Sequence, residues 1–374
     1  MNINFVEAAY KFRDLAEKEI NNNRVSEGFS LLEMAFTSAF MGQSDTPISF
    51  KLKPRGSLPK PLASTDHVVA HISRQGIVFY AAFEIVARAL CDFRRFPMVG
   101  EFFSNISREL PPTGVFECVV DLGDGDDVGD YRRIAYSSAR ADAVLVPDPL
   151  FHINNNYDVH RAYVAQVAKP WRDRKDIVFW RGGAGGPRLR TPEPNEPWQW
   201  DWQQRLQLCA VSRKSPHRDM LDVGLTHHQP VGEPYWRHAI EQADFLRPAV
   251  PKVQFLDYKY LVDVDGWTNA WSLLDKMIGG STILKVQSAF GYRQWFYDKL
   301  VPWKNYIPLA KDVSDLDEVI SWILENPREC EDIAANASSL GQEVQLQPAL
   351  AEARRAVLAI LHPLAPDGTA LTPP

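Results

Sequence analysis

Residues 256–288 read LDYKYLVDVDGWTNAWSLLDKMIGGSTILKVQS. The run KYLVDVDG is dense in apolar residues, as a strand buried on both faces must be, and Gly266 closes it. A helix is expected between the turn at Gly266 and the Gly-Gly turn, and Thr268 or Asn269 stands where a cap would sit. Gly279-Gly280 then turns the chain into a second apolar run, STILKVQ. Strand, helix and parallel strand form one βαβ unit, so this stretch predicts an α/β fold with a parallel sheet.

The same texture extends outward. Short apolar strands are expected at 115–124, 141–148, 176–183, 259–266, 281–287 and 305–310, with helical patterns between several of them. Beyond them Leu316, Val319, Ile320, Ile323 and Leu324 repeat at helical spacing after Ser314, a candidate cap beside Asp317. Asn326-Pro327 ends that helix and opens another, and 348–362 reads as a last amphipathic helix. Upstream, residues 2–40 read as two helices, 41–66 as an irregular Pro/Gly/Ser-rich connection, and GIVFYAAFEIVARAL (76–90) as a buried helix containing Phe79, Phe83, Val86 and Leu90.

Composition narrows the function classes. The chain has 374 residues, 41 basic against 47 acidic, and a net charge of −6, which argues against a nucleic-acid binder. Four cysteines without CxxC spacing argue against a disulfide scaffold or a zinc knuckle. No uncharged apolar run reaches the length of a membrane span, so peripheral membrane association is the most that is expected.

Ligand chemistry concentrates at the expected strand ends. FWRGGAGGPR (179–188) delivers Arg181, Gly182 and Gly183 at the end of a strand, where open α/β sheets bind ligands. Glycines let backbone amides approach phosphate oxygens, although the pattern is neither a phosphate-loop nor a dinucleotide fingerprint. Arg205 lies near the start of the next helix, where its charge opposes the macrodipole unless an anion compensates or a salt bridge forms. Ser272 and Lys285 lie close in sequence to the turn after Gly266. Asp263 and Asp265 form a D-x-D pair, readable as a divalent-metal site or, preferably, as one structural residue and one turn residue. VVDLGDGDDVGD (119–130) crowds carboxylates after a strand, and one of them can serve as a general base. Trp198, Trp200 and Trp202 suit either sugar rings or a core. The adjacent His227 and His228 do not suggest zinc.

Taken together, DIVFWRGG, QQRLQLCAVSR, DVGLT, DYKYLVDVDG, GGSTILKVQS and FYDKLVPWKNYIPLAKDVSDLDEVISWILENPRECEDIAANA resemble glycosyltransferase family 90, the protein O-glucosyltransferase and capsule-associated xylosyltransferase family, over roughly residues 112–340. The resemblance implies a GT-B architecture of two Rossmann-like domains facing across a cleft. It implies a UDP-sugar donor as co-substrate, inversion at the anomeric carbon and no required metal or other cofactor. By position it assigns Asp124 as the base, with Asp121 and Asp126 as fallbacks. It assigns Arg181, Gly182 and Arg205 to the donor side, where Gly183, Tyr260, Gly266, Thr268, Asn269, Ser272 and Lys285 are further candidates. Ser272 stands where the family often has an arginine.

The expected organisation is a helical extension at 1–45, an acceptor domain at 46–170, a nucleotide-sugar domain at 171–345, a helix at 346–364 packing back, and a tail at 365–374. The expected function is transfer of glucose or xylose to a glycan or lipid-linked glycan of the lipopolysaccharide type, by a cytoplasmic bacterial enzyme. The alternatives are a non-catalytic sugar-nucleotide-binding adaptor, a GT-B transferase using a GDP- or CMP-linked donor and, more distantly, a metal-dependent phosphotransferase.

Overall fold

A computed structural model of the chain describes residues 3–40, 46–64, 66–82, 95–123, 125, 129–187, 189, 200–227 and 234–364. Contacts divide the chain into two compact units, Met1–Asn156 with Leu346–Pro374, and Tyr157–Gln345.

The first unit opens with two helices, α1 (Ile3–Asn21) and α2 (Val25–Phe40), as the periodicity predicts; Ala16, Leu32 and Ala35 are buried among its core residues. Then follow β1 (Ile48–Lys53), β2 (His67–Ser73), β3 (Gly76–Ala82), α3 (Arg95–Glu109), β4 (Phe116–Asp121), β5 (Arg133–Ala135), β6 (Val144–Leu145) and α4 (Pro149–Ile153). The sheet order is β1-β3-β2-β4-β5-β6.

Two expectations are corrected here. Residues 41–66 contain strand β1, and the segment from Gly76 is strand β3 as far as Ala82, not helix. The physical reason is tertiary pairing. Ser73 and Gly76 close a hairpin through the Ser73 hydroxyl, so β2 and β3 run antiparallel from Ser73↔Gly76 to Val69↔Tyr80. Once paired, Ile77, Phe79 and Ala81 are buried in alternation with the less buried Val78 and Tyr80, a period of two that β-branched and aromatic residues favour. Phe83, Val86 and Leu90 lie outside the described residues. Because β2 is antiparallel to both β3 and β4, this sheet is mixed rather than wholly parallel.

The second unit matches the parallel expectation. Its elements are α5 (Asp158–Val167), β7 (Lys175–Gly183), α6 (Gln204–Lys214), β8 (Leu221–His227), α7 (Pro234–Gln242), β9 (Tyr258–Asp263), α8 (Leu273–Ile278), β10 (Thr282–Val286), β11 (Ile307–Leu309), α9 (Leu316–Glu325) and α10 (Pro327–Glu343). All strands run parallel in the order β11-β10-β9-β7-β8. Val178, Val262, Leu284 and Ile307 are buried in a core that continues through Leu316 and Ile320 of α9. Pro327 opens α10 as expected. Ser314 does not cap α9; its hydroxyl donates to Asp312, and Asp315 accepts the Ala310 amide at 2.9 Å instead. The short turn after β11 thereby draws the carboxylate back onto the strand end.

The chain then returns to the first unit as α11 (Leu346–Leu358) and β12 (His362–Pro363), which pairs antiparallel with β4. Cys118, Cys209 and Cys330 are buried free thiols. Among the described residues, no helix is long and apolar enough to cross a membrane.

Candidate functional site

Parallel strands in register place their carboxyl ends along one edge of the second unit, and the groups singled out in the sequence collect there. The β9–β10 register sets Lys285 beside Asp263. Both are buried, with Lys285 Nζ 3.2 Å from Asp263 Oδ2 and Lys276 Nζ 2.7 Å from Oδ1. Burial works to raise the Asp263 pKa, but the two ammonium groups outweigh it and hold the carboxyl below its ordinary value. Burial likewise opposes the Lys285 charge, yet Tyr297, Asp263 and Asp265 hold its pKa above the ordinary value. Asp263 is therefore the structural member of the D-x-D pair. Among the described residues, no group of three or more His, Cys, Asp or Glu side chains is placed to hold a metal ion.

Asp265 behaves differently. It lies past the end of β9, is 7% exposed, and its Oδ1 has no hydrogen-bond partner. Burial raises its pKa. Nearby in the chain, Thr268 Oγ1 and both side-chain polar atoms of Asn269 are also buried without partners, as is Oε1 of Gln203. Buried polar atoms are normally satisfied, so this concentration at a strand edge makes the turn a candidate site for hydrogen-bonding partners. The expected capping role is corrected: α8 starts only at Leu273, six residues long, after Ser272, and neither Thr268 nor Asn269 caps it. Backbone pairing at β9 ends at Asp263, which leaves the intervening residues as an irregular turn.

Arg205 sits in the first turn of α6 and reaches across this turn. Its Nε donates to the Asp265 carbonyl at 2.8 Å, Nη1 to Gly183 at 3.0 Å and Nη2 to Val264 at 3.4 Å. Burial lowers its pKa against the pull of Asp265 and Asp263. Three of the five guanidinium N–H groups are thus taken up by main-chain carbonyls, leaving one hydrogen on each terminal nitrogen for a ligand. Gly266 gives the guanidinium room, since a Cβ at that position would stand 2.8 Å from Arg205 Nη2. Gln204 fixes the same helix start by donating to the carbonyls of Gln287 and Lys311.

Arg181 is placed sideways. Its Nη2 lies 2.6 Å from Asp222 Oδ1 on β8, and its other donors go to carbonyls of Trp180, Asp222 and Pro248. Gly182 and Gly183 leave room for the rings of Trp180 and His227, which a Cβ would strike. Tyr260 is a core residue, 2% exposed, edge-on to Trp171. Trp200 packs on Phe245, the core reading.

Arg181, Gly182, Arg205 and Ser272 line a cleft of about 170 Å³ together with Lys252 and Asp275. Asp275 is held between His160 (3.3 Å) and Lys252 (3.4 Å). Sequence reasoning missed His160, Lys252, Gln203 and Asp275. Of these only Asp275, an acidic residue in the first turn of the helix after a strand-ending glycine, left a local signal; the others arrive from distant elements. In the first unit, Asp121 is 1% exposed, accepts the Gly123 amide at 2.7 Å, and has Oδ2 3.7 Å from His67 Nε2. Asp124, Asp126, Trp198 and His228 lie outside the described residues.

A parallel sheet with polar groups gathered at the carboxyl ends of its strands is an α/β arrangement whose strand-end edge is where such sheets bind ligands. Residues 155–347, just over half of the chain and nearly coincident with the second unit, match the model of glycosyl transferase family 90, and the chain belongs to that family. It is 33% identical over 146 residues to protein O-glucosyltransferase 3 of Homo sapiens, covering 39% of this chain and 27% of that protein. It is 31% identical over 167 residues to protein O-glucosyltransferase 2 of Danio rerio, covering 44% and 28%. It is also 30% identical over 188 residues to the uncharacterized protein 035R of Invertebrate iridescent virus 3, covering 48% and 16%. The chain thus spans less than a third of the length of each of these relatives.

Proposed function

We propose that the chain is an inverting glycosyltransferase of the GT-B type that moves a sugar from a UDP-sugar to a hydroxyl of a glycan or lipid-linked glycan. The names of the relatives, protein O-glucosyltransferases, favour glucose over xylose. The observation that carries the reading is the gathering of Arg205, Gly266 and the unpartnered buried groups of Gln203, Asp265, Thr268 and Asn269 at one strand edge, within the segment that matches the family.

In this reading the diphosphate lies against the turn between β9 and α8. The remaining hydrogens of Arg205 and the main-chain amides after Gly266 meet the charge that grows on the departing nucleotide. One such contact is worth about 3–4 kcal/mol in the transition state. Arg181, already neutralised by Asp222, shapes the loop rather than carrying charge to the ligand. Asp124 removes the proton from the acceptor hydroxyl as its oxygen attacks the anomeric carbon. The scheme asks for no metal or cofactor, and it is set in the cytoplasm.

The test combines heat protection by UDP, GDP and CMP with transfer or hydrolysis of UDP-glucose and UDP-xylose. UDP should protect best. Asp124→Asn should abolish transfer and leave UDP protection intact. Transfer by that variant at a near-normal rate would move the base elsewhere, and absence of protection by UDP would sink the donor assignment. UDP protection with no turnover of either sugar nucleotide by the wild type would favour a non-catalytic adaptor.

A further inference from the structure

A second cleft of this unit, lined at one end by Lys285 and Ser288, takes no part in the scheme above. It encloses about 690 Å³ beside the edge strand β11, within the range of small-molecule sites. We propose that this cleft binds a neutral saccharide.

Five aromatic side chains line it: Tyr292, Tyr297, Trp303, Tyr306 and Trp322. Trp303 decides the matter. It is 48% exposed, and its backbone lies in the left-handed region at φ 60°, a conformation that bulky side chains rarely adopt. The surrounding loop enforces it. Trp303 N donates to the Tyr306 carbonyl at 2.7 Å, and buried Asn305 accepts the Val301 amide at 2.9 Å. The ring stands edge-on to Trp322 with centroids 4.9 Å apart. Strain held by so many bonds in order to keep a large apolar ring at a cleft wall points to a flat guest that stacks on it.

The polar lining selects among flat guests. The Lys285 ammonium at the inner end is engaged by Asp263 and Tyr297, and Asp315 by the Ala310 amide. The fixed charges nearest the guest are therefore compensated, which disfavours a phosphate. Gln287 and the tyrosine hydroxyls present donors and acceptors suited to hydroxyl groups, and exposed Glu318 and Arg293 bring opposite charges. An apolar peptide would leave these groups unpaired. Ser288 also bonds the carboxyl of Asp265, so the cleft begins where the candidate donor site ends. That a sugar held here is part of the acceptor rests on the transferase reading; the binding itself does not.

The test is calorimetric titration of maltotriose and xylotriose into wild type, Trp303→Ala and Trp303→Phe, with UDP heat protection measured in parallel. Wild type should bind at least one trisaccharide. Trp303→Ala should bind it about tenfold more weakly, the scale of one aromatic stacking contact. Trp303→Phe should retain most of the affinity, and both variants should keep the wild-type unfolding temperature and UDP protection. Failure of wild type to bind either sugar, or equal binding by Trp303→Ala, would overturn the proposal. Sugar binding without UDP protection would support the cleft and overturn the UDP-donor assignment alone.

Discussion

Arg205 Nε donates to the main-chain carbonyl of Asp265 at 2.8 Å, so the helix after β7 is tied to the turn after β9 by a guanidinium rather than by a salt bridge. Its neighbour on the same turn, Gly266, passes so close that a Cβ there would push the guanidinium aside. Arg205→Lys should therefore fail to substitute for the native residue, because a lysine is a point donor and cannot span the carbonyls of Gly183, Val264 and Asp265. Both Arg205→Lys and Arg205→Ala should lose UDP heat protection and lower the unfolding free energy by about 1.5–3 kcal/mol, the range for hydrogen bonds to a charged group. Full protection in Arg205→Lys would show that charge alone suffices.

Asp263 is the counter-charge for two buried lysines. Asp263→Asn should cost about 3–5 kcal/mol, measured by urea denaturation, because it strands Lys276 and Lys285 without compensation. The pH dependence has a definite sign. Since the folded-state pKa is lowered, the contribution is complete above the ordinary carboxylate value and is lost as pH falls through the lowered one.

Asp265 should show the opposite trend. Its folded-state pKa is raised by burial, so folding takes up protons between the ordinary value and the raised one, and stability falls as pH climbs through that window. In Asp265→Asn that fall disappears. The variant should gain on wild type with rising pH and hold a constant advantage above the window. A difference independent of pH would place the charged form in a solvated or paired setting.

Gly341 on α10 packs directly against α8. A Cβ there would stand 2.9 Å from the Ile278 amide nitrogen, a main-chain atom that cannot step aside. Gly341→Ala should therefore destabilise by about 1–3 kcal/mol through overpacking, despite the better helix propensity of alanine. A rise in unfolding temperature would show that the two helices separate easily.

Legibility differed between the two units for a physical reason. Strands of a parallel sheet covered on both faces are short apolar runs whose identity does not depend on their partners, so β7, β9, β10 and β11 were readable with their strand-end residues. β8 was not singled out as a strand, since Gly224 and the polar Asp222 and Thr226 dilute its apolar run. β3 was misread because Phe79, Phe83, Val86 and Leu90 also satisfy a helical period, and only the hairpin with β2 selects the strand. In the site, Gly266, Asp263 and Lys285 were identifiable because each lies in or beside a strand end in the sequence, and Arg205 because it stands at a helix start.

Local pattern alone pointed to a parallel α/β second unit, gathered the candidate ligand groups at its strand ends and preferred a structural role for Asp263, because periodicity and glycine placement act over a few residues. Tertiary structure alone decided which charges are spent and which remain. Arg181 is neutralised by Asp222, Lys285 is taken by Asp263, and Asp265 keeps an unpartnered oxygen, because pairing depends on side chains that β8, β10 and α8 bring from elsewhere in the chain.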